Sequence, residues 1–149
     1  TPQMKLLSEL HEAGEGKNLS LLLSRIPYTK FLGINVRMAG SLLITELPFH
    51  EKLIGNPTLP AIHGGVLGAF LEVTAVLQIL HDSSSQRLPK TIDISMDYLR
   101  SARPMDVFGR AIVTRQGRRV ANVRCEIWQD DVNKPIALSH GHFLLKEDS

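Results

Sequence analysis

Hydrophobic and polar residues alternate through the second half of the chain. In residues 91–98 apolar positions fall on every second residue, which is the period of a half-buried strand. Short polar turns separate the segments that follow, as they do between the strands of antiparallel hairpins. The sequence therefore predicts three further strands after the first, at residues 106–115, 120–128 and 136–145.

The first half of the chain contains some segments with the two-residue period of strands and others with the 3.6-residue period of helices. Residues 32–38 alternate and predict a strand, and an Ala-Gly turn leads into a second strand at residues 41–49. Residues 50–62 contain two prolines and a glycine and predict a loop. Residues 1–26 have helical spacing of leucines and predict short helices that end before Pro27 and cover the core.

Residues 63–80, HGGVLGAFLEVTAVLQIL, predict one long apolar helix. A helix that is apolar nearly all round must be buried on most sides, which a curved antiparallel sheet around it would achieve. Glu72 is its only acid, and Gln78 is the only other strongly polar residue after His63. Because burying a charge is costly, Glu72 is either neutral, paired across an interface, or kept for chemistry. The two polar side chains also argue against a membrane helix.

Length, charge and cysteine content limit which classes of protein this chain can belong to. The 149 residues are enough for one domain, and a formal charge of +2 does not by itself indicate a nucleic-acid partner. Cys125 is the only cysteine, so an intrachain disulfide is excluded, and we interpret it as a small buried hydrophobe. The single cysteine fits a reducing compartment, and the sequence shows no signal-peptide pattern. We therefore expect a cytoplasmic location.

Several stretches resemble the hotdog-fold acyl-CoA thioesterases, in particular the PaaI-type branch that includes 4-hydroxybenzoyl-CoA thioesterases. The stretches are Asn56-Pro57, His63-Gly64-Gly65-Val66, Glu72 nine residues after His63, and the strand block of residues 91–128. The resemblance covers residues 27–146. It implies an α+β hotdog fold, with a curved antiparallel sheet wrapped around one central helix and residues 1–26 as a helical extension, all within the single domain 1–149.

The glycines at the start of the apolar helix suggest an oxyanion site. A helix N-terminus presents free amides, and Gly64 and Gly65 lack the Cβ that would keep a carbonyl oxygen away. Gly65 and Glu72 share a face, but seven residues separate them by about 10 Å along the axis. One carbonyl group cannot touch both on the same helix. We therefore expect a homodimer in which Glu72 of one subunit approaches Gly65 of the other, with a tetramer made of two such dimers as the alternative assembly.

Roles for the remaining residues follow from the same site. Glu72 would act as nucleophile or general base, and Asn56 would position water or the thioester. His63 would organise the loop, and the Gly65 amide would polarise the carbonyl. The resemblance also implies a Ser or Thr hydroxyl near the acid, for which Ser95 on the following strand is the candidate. Each role has a structural alternative: Glu72 pairs with an arginine at a dimer contact, His63 caps the helix, and Asn56 is only a turn residue.

Arginines are concentrated in the strand region. Arg100 and Arg103 follow one strand, and Arg118 and Arg119 follow a hairpin turn. Guanidinium groups bind phosphates in bidentate fashion, so these residues would hold the phosphates of coenzyme A. The alternative is a solvated basic edge that protects the sheet from aggregation.

The predicted function is hydrolysis of an acyl-CoA thioester to a carboxylic acid and coenzyme A, with no metal or other cofactor. His140 and His142 share a strand face, but no further metal ligands are near them in the sequence. One alternative is a non-catalytic protein that binds or senses acyl-CoA, and a second is a hotdog hydratase or dehydratase. We expect neither nucleic acid nor a membrane as a partner, and the acyl group is not fixed by the sequence.

Overall fold

A computed structural model of the chain describes residue 23, residues 27–82 and residues 87–145. Residues 27–82 and 87–145 form two helices and eight strands, together with one 3₁₀ turn. In chain order they are α1 (Pro27–Leu32), β1 (Asn35–Ala39), β2 (Leu42–Leu47), the 3₁₀ turn (Glu51–Leu53), β3 (Ile54–Asn56), β4 (Ala61–Ile62), α2 (Gly64–Asp82), β5 (Lys90–Tyr98), β6 (Val107–Gln116), β7 (Val120–Trp128) and β8 (Ala137–Leu144).

Six of the strands form one antiparallel sheet in the order β1-β2-β6-β7-β8-β5. The long helix α2 packs on β2, β6, β7 and β8, while β3 and β4 form a separate small pair. After α2 the chain crosses to the far edge of the sheet, where β5 pairs with β8 alone. One long helix against an antiparallel sheet confirms the predicted α+β hotdog architecture.

The central strands bury every second residue, as the alternation in the sequence predicts. In β7 the side chains of Ala121, Val123, Cys125 and Ile127 face the helix and are buried. Cys125 has 1% of its surface exposed, and burial raises the pKa of its thiol well above the ordinary range. The interpretation of Cys125 as a small buried hydrophobe is confirmed, because a protonated, buried thiol is unreactive.

Helix α2 buries polar side chains only where the sheet or the helix itself satisfies them. Gln78 is buried, and its Oε1 accepts a hydrogen bond from the backbone amide of Leu43 at 3.0 Å while its Nε2 donates to Asp82 at 2.9 Å. The Thr74 hydroxyl donates to the Phe70 carbonyl at 2.8 Å and lies 2.7 Å from the Thr45 hydroxyl. These pairings remove the cost of placing polar groups beneath the sheet.

By length and composition α2 would be long enough to cross a membrane. It lies instead against the sheet, with Phe70, Leu71 and Leu77 almost completely buried. These contacts make α2 the core helix of the domain.

The region before β1 differs from the sequence prediction. Residues 27–32 form α1, although the sequence predicted that helix ended before Pro27 and that a strand began at Leu32. Proline is tolerated in the first turn of a helix, where its missing N–H would have no partner. Gly33, with φ of 76°, ends α1 by donating its amide to the Thr29 carbonyl at 2.9 Å.

The predictions for residues 50–62 and for residues 1–26 have different outcomes. The expected loop at residues 50–62 contains the 3₁₀ turn and the β3–β4 pair, which are too short for a periodic pattern to reveal. Of the predicted N-terminal helices, only Leu23 lies within the described residues, where it is helical and 4% exposed. The rest of residues 1–26 lies outside them.

Candidate active site

Glu72 lies in the middle of α2 on the side that faces β5. The carboxylate is half-buried, and its Oε2 accepts a hydrogen bond from the Thr91 hydroxyl at 2.9 Å. Within the described part of the chain, Thr91 is the only polar partner of this carboxylate. Glu72 Oε1 therefore remains available, and the carboxylate is held by one oxygen and free to act through the other.

A bulge in β5 explains why Thr91, rather than Ser95, reaches the acid. Thr91 pairs with the buried Phe143 and faces α2, but the register shifts before the next pair, Asp93 with His142. Residues two apart normally share a face, so the sequence placed Thr91 and Ser95 together. Ser95 instead lies on the outer face with Asp93, and the predicted approach of Ser95 to Glu72 does not occur in this chain.

His63 caps the start of α2. Its Nδ1 accepts a hydrogen bond from the Gly65 amide at 2.9 Å, and its carbonyl accepts bonds from the amides of Val66 and Leu67. The structural alternative considered for His63, a helix cap, therefore describes its contacts. The Gly65 amide, which the sequence assigned to the thioester carbonyl, already donates to the imidazole.

The two glycines of this turn differ in their surroundings. A Cβ built on Gly65 would lie 2.9 Å from two atoms of the His63 ring, closer than real Cβ contacts allow. A Cβ on Gly64 would lie no closer than 3.8 Å to the Tyr98 ring, which is an ordinary contact. A side chain at Gly65 would therefore have to displace the His63 ring, whereas one at Gly64 would not.

One face of α2 runs along the inner face of β5. Gly64, Gly68 and Glu72 follow one another at intervals of four residues and therefore share a side of the helix. Tyr98 lies beside Gly64 and donates its hydroxyl to the Gly64 carbonyl at 2.9 Å, and the Met96 sulfur lies against Gly68. The glycine turn and the carboxylate thus lie at two ends of a single helix face, separated by about 12 Å along the axis.

Asn56 occupies a turn. Its Oδ1 accepts a hydrogen bond from the Thr58 amide at 2.9 Å, and the residue is exposed at the end of β3. This contact is an Asx turn, the structural alternative that the sequence left open. Neither Glu72 nor His63 hydrogen-bonds to Asn56 within the described residues.

The predicted phosphate-binding arginines form two separate groups. Arg100 is exposed, and Arg103 forms an ion pair with Asp130 at the surface. Arg118 and Arg119 lie in the turn between β6 and β7, beside a cavity of about 450 Å³. The other residues that line this cavity are Arg115, Gly117, Val120 and Asn122.

The two groups lie beyond opposite ends of the sheet. Arg100 and Arg103 follow Tyr98, which pairs with Ala137 at the start of β8. The turn with Arg118 and Arg119 precedes Val120, which pairs with Leu144 at the end of β8. Eight residues of strand lie between these ends, a length of about 25 Å. The two groups therefore cannot bind the same phosphate within one chain.

The outer face of the sheet carries the histidines of β8. His142 Nδ1 lies 2.8 Å from Asp93 Oδ1, and His140 is exposed nearby on the same strand face. Among the described residues no group of three or more histidine, cysteine, aspartate or glutamate side chains is close enough to hold a metal ion.

Comparison with known proteins identifies the family. The family model of the thioesterase superfamily matches residues 59–136, more than half of the chain, and this segment includes the glycine turn, Glu72 and Thr91. The chain belongs to the thioesterase superfamily. Membership makes it a thioester hydrolase and agrees with the hotdog fold described above.

Individual relatives of the superfamily cover most of the chain. The medium/long-chain acyl-CoA thioesterase YigI of Salmonella typhimurium is 29% identical over 121 residues, which are 71% of this chain and 77% of that protein. A solved structure from Chromobacterium violaceum is 35% identical with a TM-score of 0.76, covering 96% of this chain and 98% of that one. A thioesterase structure from Haemophilus influenzae has a TM-score of 0.75 at 24% identity, over 86% and 87% of the two chains.

Proposed function

We propose that this thioester hydrolase acts on acyl-CoA, releasing a carboxylic acid and coenzyme A without a metal or other cofactor, at a site shared by two subunits in the cytoplasm. The observation that carries the proposal is the Glu72–Thr91 pair on the helix face that begins at the glycine turn. A carboxylate held by one oxygen beside an apolar strand face is suited to accept a proton or to attack a carbonyl carbon.

The chemistry requires a base and an oxyanion site. Glu72 takes a proton from water while the water oxygen bonds to the thioester carbon, or its carboxylate attacks that carbon and water cleaves the resulting anhydride. The turn at His63 and Gly64, at the positive end of the α2 dipole, receives the developing oxyanion. In both courses the carbon–sulfur bond breaks, and the coenzyme A thiolate leaves and takes up a proton.

The separation between the two ends of the face supports a shared site. Glu72 and the glycine turn of one chain are too far apart for one thioester carbonyl, but the turn of a second chain would lie close if two copies were related by a two-fold axis. β5 is the edge strand, and its apolar side chains Ile92 and Tyr98 are 53% and 52% exposed in the single chain. An edge strand with exposed apolar residues is suited to pair with its own copy.

The same two-fold arrangement gives the arginines a common task. Antiparallel pairing of two β5 strands would bring the Arg100 and Arg103 end of one chain towards the Arg118 and Arg119 end of the other. Guanidinium groups from both chains would then surround one coenzyme A, and Arg118 and Arg119 already border a cavity of about 450 Å³. Pairing of dimers into a tetramer belongs to the same proposal.

The acyl group follows from the relatives and from the apolar lining. YigI is named for medium- and long-chain acyl-CoA, and Ile94 and Met96 line the inner face of β5 between the carboxylate and the glycine turn. We therefore propose a medium- or long-chain aliphatic acyl group, which apolar side chains bind through area rather than through hydrogen bonds.

The test is release of free thiol from a panel of acyl-CoAs of increasing chain length, with an aromatic acyl-CoA included. We expect Glu72→Gln to lower kcat by a factor of about 100 or more, because the amide neither accepts the proton nor attacks the carbon. Glu51→Gln, an exposed acid on the 3₁₀ turn, is the matched control and should leave kcat unchanged.

Two outcomes would contradict the proposal. If the wild-type protein binds acyl-CoA but releases no thiol from any member of the panel, it is a binding protein and not a thioesterase. Equal turnover by the wild type and Glu72→Gln would show that another residue performs the chemistry.

A further inference from the structure

The peptide bond between Gly64 and Gly65 is held by a side chain at each of its two polar atoms. The Tyr98 hydroxyl donates to the Gly64 carbonyl at 2.9 Å, and the Gly65 amide of the same peptide unit donates to His63 Nδ1, also at 2.9 Å. The Met96 sulfur lies 3.6 Å from the Tyr98 hydroxyl, but a thioether is a much weaker acceptor than a carbonyl.

In both hydrogen bonds the donor lies on the Tyr98 side and the acceptor on the His63 side. A peptide whose carbonyl accepts a hydrogen bond becomes a stronger donor through its N–H, because such chains polarise one another. Since His63 Nδ1 accepts the amide proton, the neutral imidazole must carry its own proton on Nε2. The series of hydrogen bonds therefore runs from the Tyr98 hydroxyl through the Gly64–Gly65 peptide to the His63 ring, whose outer donor is Nε2–H.

The His63 ring also lies close to two glycines, where a larger residue would displace it. Cβ atoms built on Gly55 and on Gly65 would lie 3.1 Å and 2.9 Å from ring atoms of His63. The backbone amide of His63 also donates to the Leu53 carbonyl at 2.8 Å. His63 is exposed, and among the described residues its Nε2 has no hydrogen-bond partner, so a donor of fixed tautomer points away from the turn.

We propose that Tyr98 is a positioning residue that acts through the Gly64–Gly65 peptide to fix His63 as an Nε2–H donor for the oxyanion of the thioester. This inference rests on the proposed function for the identity of the acceptor. Within the turn that receives the oxyanion, it assigns the side-chain contact to the His63 ring, because the Gly65 amide already donates to Nδ1. The step is hydrogen bonding only, and no proton leaves His63.

The first test is ¹⁵N NMR of the protein labelled at histidine, with His63→Gln used to assign the ring signals of His63. In the wild type we expect Nδ1 of His63 to have the shift of an unprotonated nitrogen and Nε2 that of a protonated one. Tyr98→Phe, which removes only the hydroxyl, should move both shifts towards an average of the two tautomers. Tyr28→Phe changes the chain's other tyrosine and should leave them unchanged.

The second test is kinetic. We expect Tyr98→Phe to lower kcat about fivefold, with KM within about twofold and thermal stability unchanged, because the hydroxyl acts on the oxyanion donor and not on substrate binding. A purely structural role would lower the melting temperature and leave the ratio of tautomers in the folded protein as it is.

The outcomes separate this inference from the proposed function. Histidine shifts and a kcat that are unchanged in Tyr98→Phe would overturn the inference while thiol release by the wild type continued to support the thioesterase. Shifts that move in Tyr98→Phe would support the hydrogen-bond chain even if the wild type released no thiol, a result that would overturn the proposed function alone.

Discussion

The two halves of α2 use polar residues in opposite ways. In residues 73–82 every buried polar side chain meets a partner inside the fold: Thr74 bonds to the Phe70 carbonyl, and Gln78 bonds to Leu43 and Asp82. In residues 64–72 and the capping His63 the polar atoms are only partly used, since His63 Nε2 and Glu72 Oε1 have no partner among the described residues. Satisfied polar groups stabilise the fold, whereas half-satisfied ones at the protein surface remain available to a ligand.

The contrast also concerns how a lone polar residue in an apolar helix should be interpreted. Glu72 and Gln78 are six residues apart in the same helix, and both stand out in the sequence. Gln78 is 1% exposed and is hydrogen-bonded through both its oxygen and its nitrogen, while Glu72 is half-buried and bonded through one oxygen. The difference lies in the sheet, which offers the Leu43 amide to Gln78 and only a single hydroxyl to Glu72.

Gln78→Leu should give the largest change in stability. The substitution keeps the volume of the side chain but leaves the Leu43 amide buried without an acceptor, which costs about 1–3 kcal/mol. We expect the free energy of unfolding in urea to fall by this amount, while kcat of the folded protein stays within about twofold. Gln116→Leu, at the exposed end of β6, should change the unfolding free energy by less than about 0.5 kcal/mol. If Gln78→Leu also lowered kcat, residues 73–82 would contribute to catalysis, and the two halves of α2 would not differ as described.

Gly65→Ala should lower kcat about tenfold, because its new Cβ would displace the His63 ring that lies 2.9 Å away. Gly40→Ala, in the turn between β1 and β2, is the matched control. Its Cβ meets nothing within 4 Å, but alanine disfavours the φ of +67° at this position, so stability should fall while kcat holds. Steady-state kinetics and thermal melts of both variants separate displacement of the His63 ring from a general loss of stability, and an unchanged kcat in Gly65→Ala would argue against a fixed His63.

Thr91→Val should have the smallest effect, lowering kcat about fivefold through loss of the hydrogen bond to Glu72. The valine has the same shape, so binding of acyl-CoA should not change. Ser95→Ala, on the outer face, should leave kcat within about twofold. Thiol-release assays of the pair test the bulge directly, because a regular strand would place both hydroxyls on one face and make the two variants alike.

The sequence predicted those parts of the fold that depend on periodic burial. The alternation around Val123 and Cys125 predicted β7, and the apolar run around Phe70 predicted α2. It also indicated Glu72 as the central residue of the site, because an unpaired acid in such a helix has few structural roles, and this role stays a prediction. The α+β architecture followed from one buried helix and a series of hairpin strands.

What the sequence missed depends on contacts between distant residues or on single irregular ones. The bond from Tyr98 to Gly64 joins positions 34 residues apart, and no local pattern indicates it. The bond from the Gly65 amide to His63 is a choice between two acceptors, a ligand or the ring, that composition does not decide. The helix at Pro27 was missed because proline marks the end of one helix and equally the first turn of another.

The bulge at Ile92 affects how related sequences should be aligned. Counting back from Tyr98 two residues at a time reaches Met96, Ile94 and Ile92, and never Thr91. A gain or loss of one residue at this point would move a hydroxyl onto or off the inner face without changing any residue type. Searches for the hydroxyl partner of the acid should therefore align structures by the residue opposite Phe143, and should not count positions along the strand.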